Sequence, residues 1–128
     1  KGKNIIIYFY PKDSTPGCTI EAQNFRDNIR KFSSLNTVVL GVSRDKIISH
    51  EKFKKNQNLP FDLLSDDDEK LCKIFNVMKE KNMYGKKFIG IERSTFLIDE
   101  KGVLINEWRK VKVKEHVKDV LQTLKKLK

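Results

Sequence analysis

The stretch "NIIIYFYPKDSTPGCTIEAQNF", residues 4–25, changes character within a few positions. After Asn4 it runs "IIIYFY" without a polar break, the pattern of a strand covered on both faces rather than one with a wet side. From Thr15 the pattern turns helical: Phe25, Ile29 and Phe32 recur at intervals of four and three with polar residues between them, so the spacing predicts a helix over 15–32. Ser14 or Thr15 is available as its N-cap, and Pro16 suits the first helical position, where a missing N–H is no loss.

Working outward, "TVVLGVS" at 37–43 reads as a second buried strand, and strand, helix, strand makes a right-handed βαβ unit. A second helix is expected over 46–58, a short extended piece over 61–65, and a third helix over 67–78 with an acidic first turn that suits the helix dipole. "RSTFLID" and "VLINEWR" flank "EKG", a hairpin with Gly102 free to take a positive φ. Val117, Val120, Leu121 and Leu124 keep helical spacing near the end of the chain. The order is that of an α/β, thioredoxin-like fold, a mixed central sheet flanked by helices.

At 128 residues the chain fits one domain, 1–128, which buries roughly two-thirds of the surface its unfolded form exposes. Hydrophobic residues at 38% and charged residues at 34% give a soluble globular balance, and no apolar run reaches the ~18 residues a membrane span requires. The chain starts at Lys1 rather than Met, close to the first apolar run, and reads as one whose natural start is missing. A net charge of +10 raises the question of nucleic acid. The lysines are spread along the chain, however, and the densest group lies opposite the apolar stripe of the last helix, where a solvated face is expected. No specific nucleic-acid partner is inferred. Cys18 and Cys72 form no CxxC and no metal-ligand spacing, which leaves neither a metal nor a disulfide scaffold and fits a reducing, cytoplasmic setting.

In open α/β sheets functional groups collect beyond the carboxyl ends of the strands, and Tyr10-Pro11 marks such an end. Cys18 falls in the first turn of the following helix, where free N–H groups and the helix dipole favour an anion, and the thiolate is the nucleophilic form of cysteine. Most free cysteines are small buried hydrophobes. A helix start behind "DSTPG" is expected to be partly exposed, which argues for reactivity. Gly17 allows close approach to the backbone.

Pro11, Thr15 and Cys18 form PxxxTxxC, and "YPKDSTPGCTIEAQNFRD" resembles the active-site loop of the peroxiredoxins, in particular the bacterioferritin-comigratory (PrxQ) subfamily. The resemblance continues through "VVLGVSRD", "LLSDDDEKLCKIFNV", "GKKFIGIERSTFLIDEKG" and the last helix. It implies a cofactor-free thiol peroxidase, monomeric, acting on hydrogen peroxide and small organic hydroperoxides, with an N-terminal hairpin that this chain lacks. Cys18 is then the peroxidatic cysteine, Thr15 the hydroxyl that orients sulfur and peroxide, Pro11 the shield of the sulfur and Arg93 the cation beside it. Arg93 alternates with Ile91 and Thr95, so it is expected in a strand on a partly buried face, where an anion partner is needed. Glu21 fits the family's CTxE and is expected to orient an arginine or brace the loop. Tyr10 and Phe88 are candidate pocket walls or core residues.

Many members carry a second cysteine five residues after the first; here Gln23 stands there. Cys72 is the remaining candidate resolver, although "LCKIF" places it near an apolar side, which favours a structural role. The resulting expectation is a one-cysteine cycle with an external thiol reductant: thioredoxin, glutaredoxin or glutathione. A two-cysteine cycle through Cys72, a disulfide reductase and a non-catalytic basic module are the alternatives. The reductase lacks a vicinal sulfur, and the basic module leaves the grouping of Pro11, Thr15, Cys18 and Arg93 unexplained.

Overall fold

The computed structural model describes residues 2–83 and 85–126. Strand β1 (Asn4–Phe9) is followed by α1 (Pro16–Asp27), α2 (Ile29–Ser34), β2 (Thr37–Ser43), α3 (Ile47–Gln57), β3 (Asp62–Ser65) and α4 (Lys70–Ile74). A ribbon of β4 (Met78–Met83) and β5 (Lys86–Ile91) comes next, then β6 (Ser94–Ile98), β7 (Leu104–Trp108) and α5 (His116–Lys126).

The main sheet has the order β3-β2-β1-β6-β7. β1, β2 and β3 are parallel, and β6 and β7 add antiparallel to them, so the sheet is mixed with β1 at its centre. Both faces of β1 are covered, as its unbroken apolar run requires. Ile6, Tyr8 and Tyr10 face a core built with α1, α2, α3 and α5. Phe9 faces a second core that holds Cys72 of α4, Val77, Ile91 and Phe96. The two cores are therefore separated by the sheet.

The expected helix over 15–32 is divided. Asn28 leaves helical geometry at φ −111° and ψ 11°, and its side-chain amide donates to the Asn24 carbonyl at 2.8 Å. Phe25 and Phe32 nevertheless stay buried in one core, so the periodicity followed packing across the break. The helix expected over 67–78 shrinks to five residues. Asp66, ahead of it, accepts from the N–H groups of Leu71 and Cys72 at 2.9 and 2.7 Å, so acid satisfies the helix start from outside its first turn. Asn76 at φ 55° ends the helical run before β4.

The sequence pattern predicts no element over residues 79–90, where β4 and β5 pair in register from Met78 with Ile91 to Met83 with Lys86. "MKEKNM" and "KKFIGI" show no sustained apolar face, and pairing rather than burial holds them as strands. The hairpin of β6 and β7 matches expectation, with Gly102 at φ 86° in its turn. On α5 the stripe of Val117, Val120, Leu121 and Leu124 is buried while its lysines are exposed.

Gly41 in β2 faces the phenol of Tyr8: a Cβ there lies 2.9 Å from Tyr8 Cζ and 2.8 Å from Leu63 Cδ2. The Tyr8 ring is stacked on Phe25 at 4.5 Å and cannot swing aside. Gly41→Ala is expected to destabilise the fold by about 1–3 kcal/mol through overpacking, measured as a lower midpoint in urea at unchanged slope.

Candidate active site

The site is assembled where β1 hands over to α1 and where the ribbon hands over to β6. Thr15 occupies the N-cap of α1 with Pro16 behind it. The first helical hydrogen bond runs from Thr19 N to the Thr15 carbonyl at 2.8 Å, so the amides of Gly17 and Cys18 precede the ladder. The Thr15 hydroxyl does not cap; it donates to the Lys12 carbonyl at 2.9 Å. With its proton spent there, Thr15 Oγ1 offers lone pairs to an incoming donor.

Cys18 is 1% exposed and packs into the core shared by β1, α1, α3 and α5. This corrects the expected partial exposure: Cys18 is drawn into the same buried cluster as Tyr8, Ala22 and Phe25. Arg93 lies in the two-residue link between β5 and β6, not in a strand as alternation suggested. Leaving the ladder frees its side chain to reach across. Its Nη2 lies 3.4 Å from Cys18 Sγ and its Nη1 2.6 Å from Glu21 Oε1. The same guanidinium covers Gly17, whose absent Cβ would stand 3.2 Å from Nη2.

Glu21 is fully buried, and burial pushes its carboxyl up to about 7 against the opposing pull of Arg93. Among the described residues Glu21 Oε2 and Tyr8 Oη have no hydrogen-bond partner, which leaves Arg93 as the main support of the carboxylate form. Arg93 in turn is held firmly cationic: burial works against its charge, but Glu21 and Cys18 outweigh it. A fixed positive charge in contact with sulfur stabilises negative charge developing there without reorganisation.

Of the residues singled out in the sequence, Cys18, Gly17, Glu21 and Arg93 meet directly. Pro11, half-buried, and Thr15 sit on the same loop. Tyr10 belongs to the core and Phe88 is 41% exposed on β5. Cys72 is elsewhere: fully buried in the second core, its thiol pushed up to about 12 by burial and by the Asp66 carboxylate. Gln23 donates to Gln57 at the end of α3 at 2.8 Å.

Two features escaped the sequence reading. Lys81 of β4 lies along Gly90, and burial and the Arg93 charge lower its amine while Cys18 and Glu92 oppose that shift. It is a second cation towards the sulfur, invisible while the ribbon was unread. The other is a cluster of buried Asp13 and His50 with half-buried Asp45, whose candidate ligand atoms lie within 4.8 Å of one another. These groups are already satisfied by protein hydrogen bonds: Asp13 Oδ2 by Ser49 and His50, Asp45 Oδ2 by Ser43 and the Asp13 amide, His50 Nε2 by a carbonyl. The arrangement is a hydrogen-bonded network rather than a metal cradle.

A cysteine at a helix start, against an arginine braced by a buried glutamate, is an arrangement that can stabilise negative charge on sulfur. Residues 1–106 match the AhpC/TSA family, and the chain belongs to it: it is a peroxiredoxin, a cysteine-based thiol peroxidase. It is 60% identical over 125 residues to peroxiredoxin Bcp of Bacillus subtilis, covering 98% of this chain and 80% of that protein. It is 52% identical over 124 residues to peroxiredoxin Bcp of Xanthomonas campestris, covering 97% and 78%. A cysteine-to-serine mutant of X. campestris peroxiredoxin Q superposes with a TM-score of 0.95 at 51% identity, over 99% of this chain and 81% of that one. A structure of the X. campestris bacterioferritin comigratory protein, described for its alkyl peroxide reduction activity, gives 0.93 at 51% identity over 98% and 80%. The fold is the thioredoxin-like peroxiredoxin fold.

Glu21→Gln keeps the volume and one acceptor but removes the charge that fixes Arg93. Sulfenic acid formation is expected to slow about 10- to 100-fold through misplacement of the guanidinium, read by stopped-flow mixing with peroxide.

Proposed function

We propose that Cys18 is the peroxidatic cysteine, reducing hydrogen peroxide and small organic hydroperoxides in a one-cysteine cycle that an external thiol completes. The 3.4 Å contact of Arg93 Nη2 with Cys18 Sγ, held by the Arg93–Glu21 pair, carries this reading. The Cys18 thiolate attacks one peroxide oxygen in line with the O–O bond. An S–O bond forms, the O–O bond breaks, and the electron pair leaves with hydroxide or alkoxide, which takes a proton to become water or an alcohol. Sulfur is oxidised to sulfenic acid and the peroxide is reduced. Negative charge spreads over sulfur and both oxygens, where Arg93 and the free amides of Gly17 and Cys18 stabilise it. Thr15 accepts from the hydroperoxide O–H and fixes its direction, and Pro11 screens the loop from water.

The reset is assigned to thioredoxin, glutaredoxin or glutathione. One thiol condenses with the sulfenic acid, releasing water and forming a mixed disulfide, which a second thiol cleaves to return Cys18 and a free disulfide. The separation of the cysteines supports an external source: Cys18 lies in the core on one face of the main sheet and Cys72 in the core on the other. The chain is taken to work as a single monomeric domain, 1–128, in a reducing, cytoplasmic compartment where both thiols persist.

Cys18→Ser is expected to abolish turnover, and Arg93→Ala to slow sulfenic acid formation by roughly 10²–10³-fold, the value of a lost charge-stabilising donor. Cys72→Ser leaves that step near the wild-type rate. Stopped-flow reaction with hydrogen peroxide separates the three, and a fully active Cys18→Ser protein overturns the assignment. For the reset, non-reducing peptide mass spectrometry after one equivalent of peroxide is expected to show Cys18 as sulfenic acid or its trapped adduct. A stoichiometric Cys18–Cys72 disulfide would sink the one-cysteine cycle.

A further inference from the structure

A group of buried ionisable side chains outside the site described above, Asp13 and His50, adjoins the loop that carries Thr15 and leads into Cys18. Asp13 and His50 are both buried, and His50 Nδ1 lies 2.7 Å from Asp13 Oδ2. The Asp13 carboxylate also accepts from Tyr10 Oη at 2.6 Å and from Ser49 Oγ at 2.7 Å. Its own N–H donates to Asp45 Oδ2 at 2.8 Å. The remaining ring nitrogen, His50 Nε2, faces the Leu64 carbonyl at 3.0 Å.

These partners determine the protonation of the ring. A carbonyl oxygen only accepts, so Nε2 carries a proton. The Asp13 carboxylate already accepts from Tyr10 and Ser49, which favours its ionised form, and an ionised carboxylate only accepts, so Nδ1 carries a proton as well. His50 is thus an imidazolium in a buried ion pair. The balance of forces agrees: burial pushes the imidazole down, but the bond and charge of Asp13 and the Leu64 carbonyl raise it above its ordinary value. Burial likewise pushes Asp13 up, and its bonds from His50, Tyr10 and Ser49 bring it below the usual carboxylate range.

The pair bears on the reaction through the backbone. Ser14, next to Asp13, sits at φ 63°, a left-handed conformation that costs a serine on the order of 1 kcal/mol and persists where neighbouring contacts over-determine it. Asp13 supplies those contacts, tying the loop to α3 through Ser49 and His50, to β1 through Tyr10 and to the end of β2 through Asp45. Directly after Ser14 come Thr15, the N-cap, and the turn that presents Cys18.

We propose that His50 is a positioning residue for peroxide reduction: its imidazolium clamps Asp13 and thereby sets the loop that aims Thr15 and the Cys18 turn. This rests on the peroxidase reading of Cys18. The clamp requires a carboxylate and an imidazolium together. It is complete from above the range in which Asp13 titrates up to the raised value of His50, and it is lost as pH rises through that value. The titratable and charged groups around the ring are Asp13 from the loop, Tyr10 from β1 and Asp45 after β2. On the solvent side are Glu51 and Lys54 of α3 and Asp62 of β3, the last two paired at 2.9 Å. Burial, with Tyr8 and Asp13 nearby, raises Tyr10 far above its ordinary value, so it stays neutral throughout.

The test combines three readouts on the full chain. Nitrogen-15 NMR of histidine-labelled wild type is expected to show both His50 ring nitrogens protonated at neutral pH. Stopped-flow reaction of His50→Gln with hydrogen peroxide is expected to be about 10-fold slower or more, the cost of a misaimed site, and to lack the alkaline fall that the wild-type rate shows as His50 deprotonates. Alkylation of Cys18 by iodoacetamide is expected to speed up in the same variant, because the loosened loop uncovers the sulfur. A neutral His50 ring at neutral pH, or a His50→Gln protein with the wild-type rate and pH profile, overturns the proposal. Where His50→Gln does not fold, Ser49→Ala carries the kinetic arm. A slowing of about two- to fivefold that Ser49→Thr reverses supports the clamp, and an unchanged rate overturns it. A wild-type protein inert to peroxide breaks the peroxidase reading instead, and ring protonation with the alkylation comparison then decides the clamp.

Discussion

Glu21 is a charged side chain without access to water, and the site depends on how that burial is compensated. One carboxylate oxygen has Arg93 at 2.6 Å, and the other has no partner among the described residues. The consequence is a carboxyl raised to about 7. The unfolded chain gives up this proton near the ordinary carboxylate value, before the folded chain does, so from roughly pH 4 to 7 each step upward in pH disfavours folding. The fold carries that penalty where it fixes a guanidinium with two constraints, one on Glu21 and one on Cys18. A surface arginine would be free to rotate away and would be screened by solvent. Here geometry and low dielectric make one positive charge effective at one sulfur atom.

The central sheet imposes the next constraint. Ile6, Tyr8 and Tyr10 project to the Cys18 side and Phe9 to the Cys72 side, because side chains alternate along a strand. That alternation makes β1 both the scaffold that ends at the loop leading to Cys18 and the wall between the two sulfurs. Cys72 is set further apart chemically, since burial and Asp66 keep its thiol protonated. Gln23 is bonded to Gln57 and so adds a tie between α1 and α3.

Much of this was legible in the sequence where one residue type had one physical reason to be there. The continuous apolar run of β1, the helix expected over 46–58 and found as Ile47–Gln57, and the Gly102 hairpin all follow from local pattern. Cys18 behind Pro16-Gly17 and the need of Arg93 for an anion were likewise readable. What was not readable depended on contacts distant in sequence. The β4–β5 ribbon is charged and has no buried stripe, so periodicity passed over it, and Lys81 was missed with it. Cys18 is buried in one cluster with Tyr8 and Phe25, in a turn that composition alone marks as polar. His50 looks like a surface residue in "SHEKFKK"; only folding places Asp13, thirty-seven positions earlier, against its ring.

The burial of Cys18 sets two opposite demands on its loop. In the proposed cycle the hydroperoxide is the small reactant, and it is attacked best when Arg93, Thr15 and the free amides are already in place. The external thiol proposed for the reset is larger when a protein carries it, and its in-line attack on a sulfur that is 1% exposed would require the start of α1 to yield. On that reading the loop has to be rigid in one half of the cycle and yielding in the other. Its ties suit that alternation: Asp13 holds it by several hydrogen bonds of which only the His50 link is an ion pair, and the strained Ser14 favours release once the grip slackens. Oxidation itself weakens the closed state, because a neutral sulfenic acid no longer attracts Arg93 as a thiolate does. On that reading the attraction between Arg93 and the sulfur is lost when the second step needs the loop to open, while Arg93 keeps its charge.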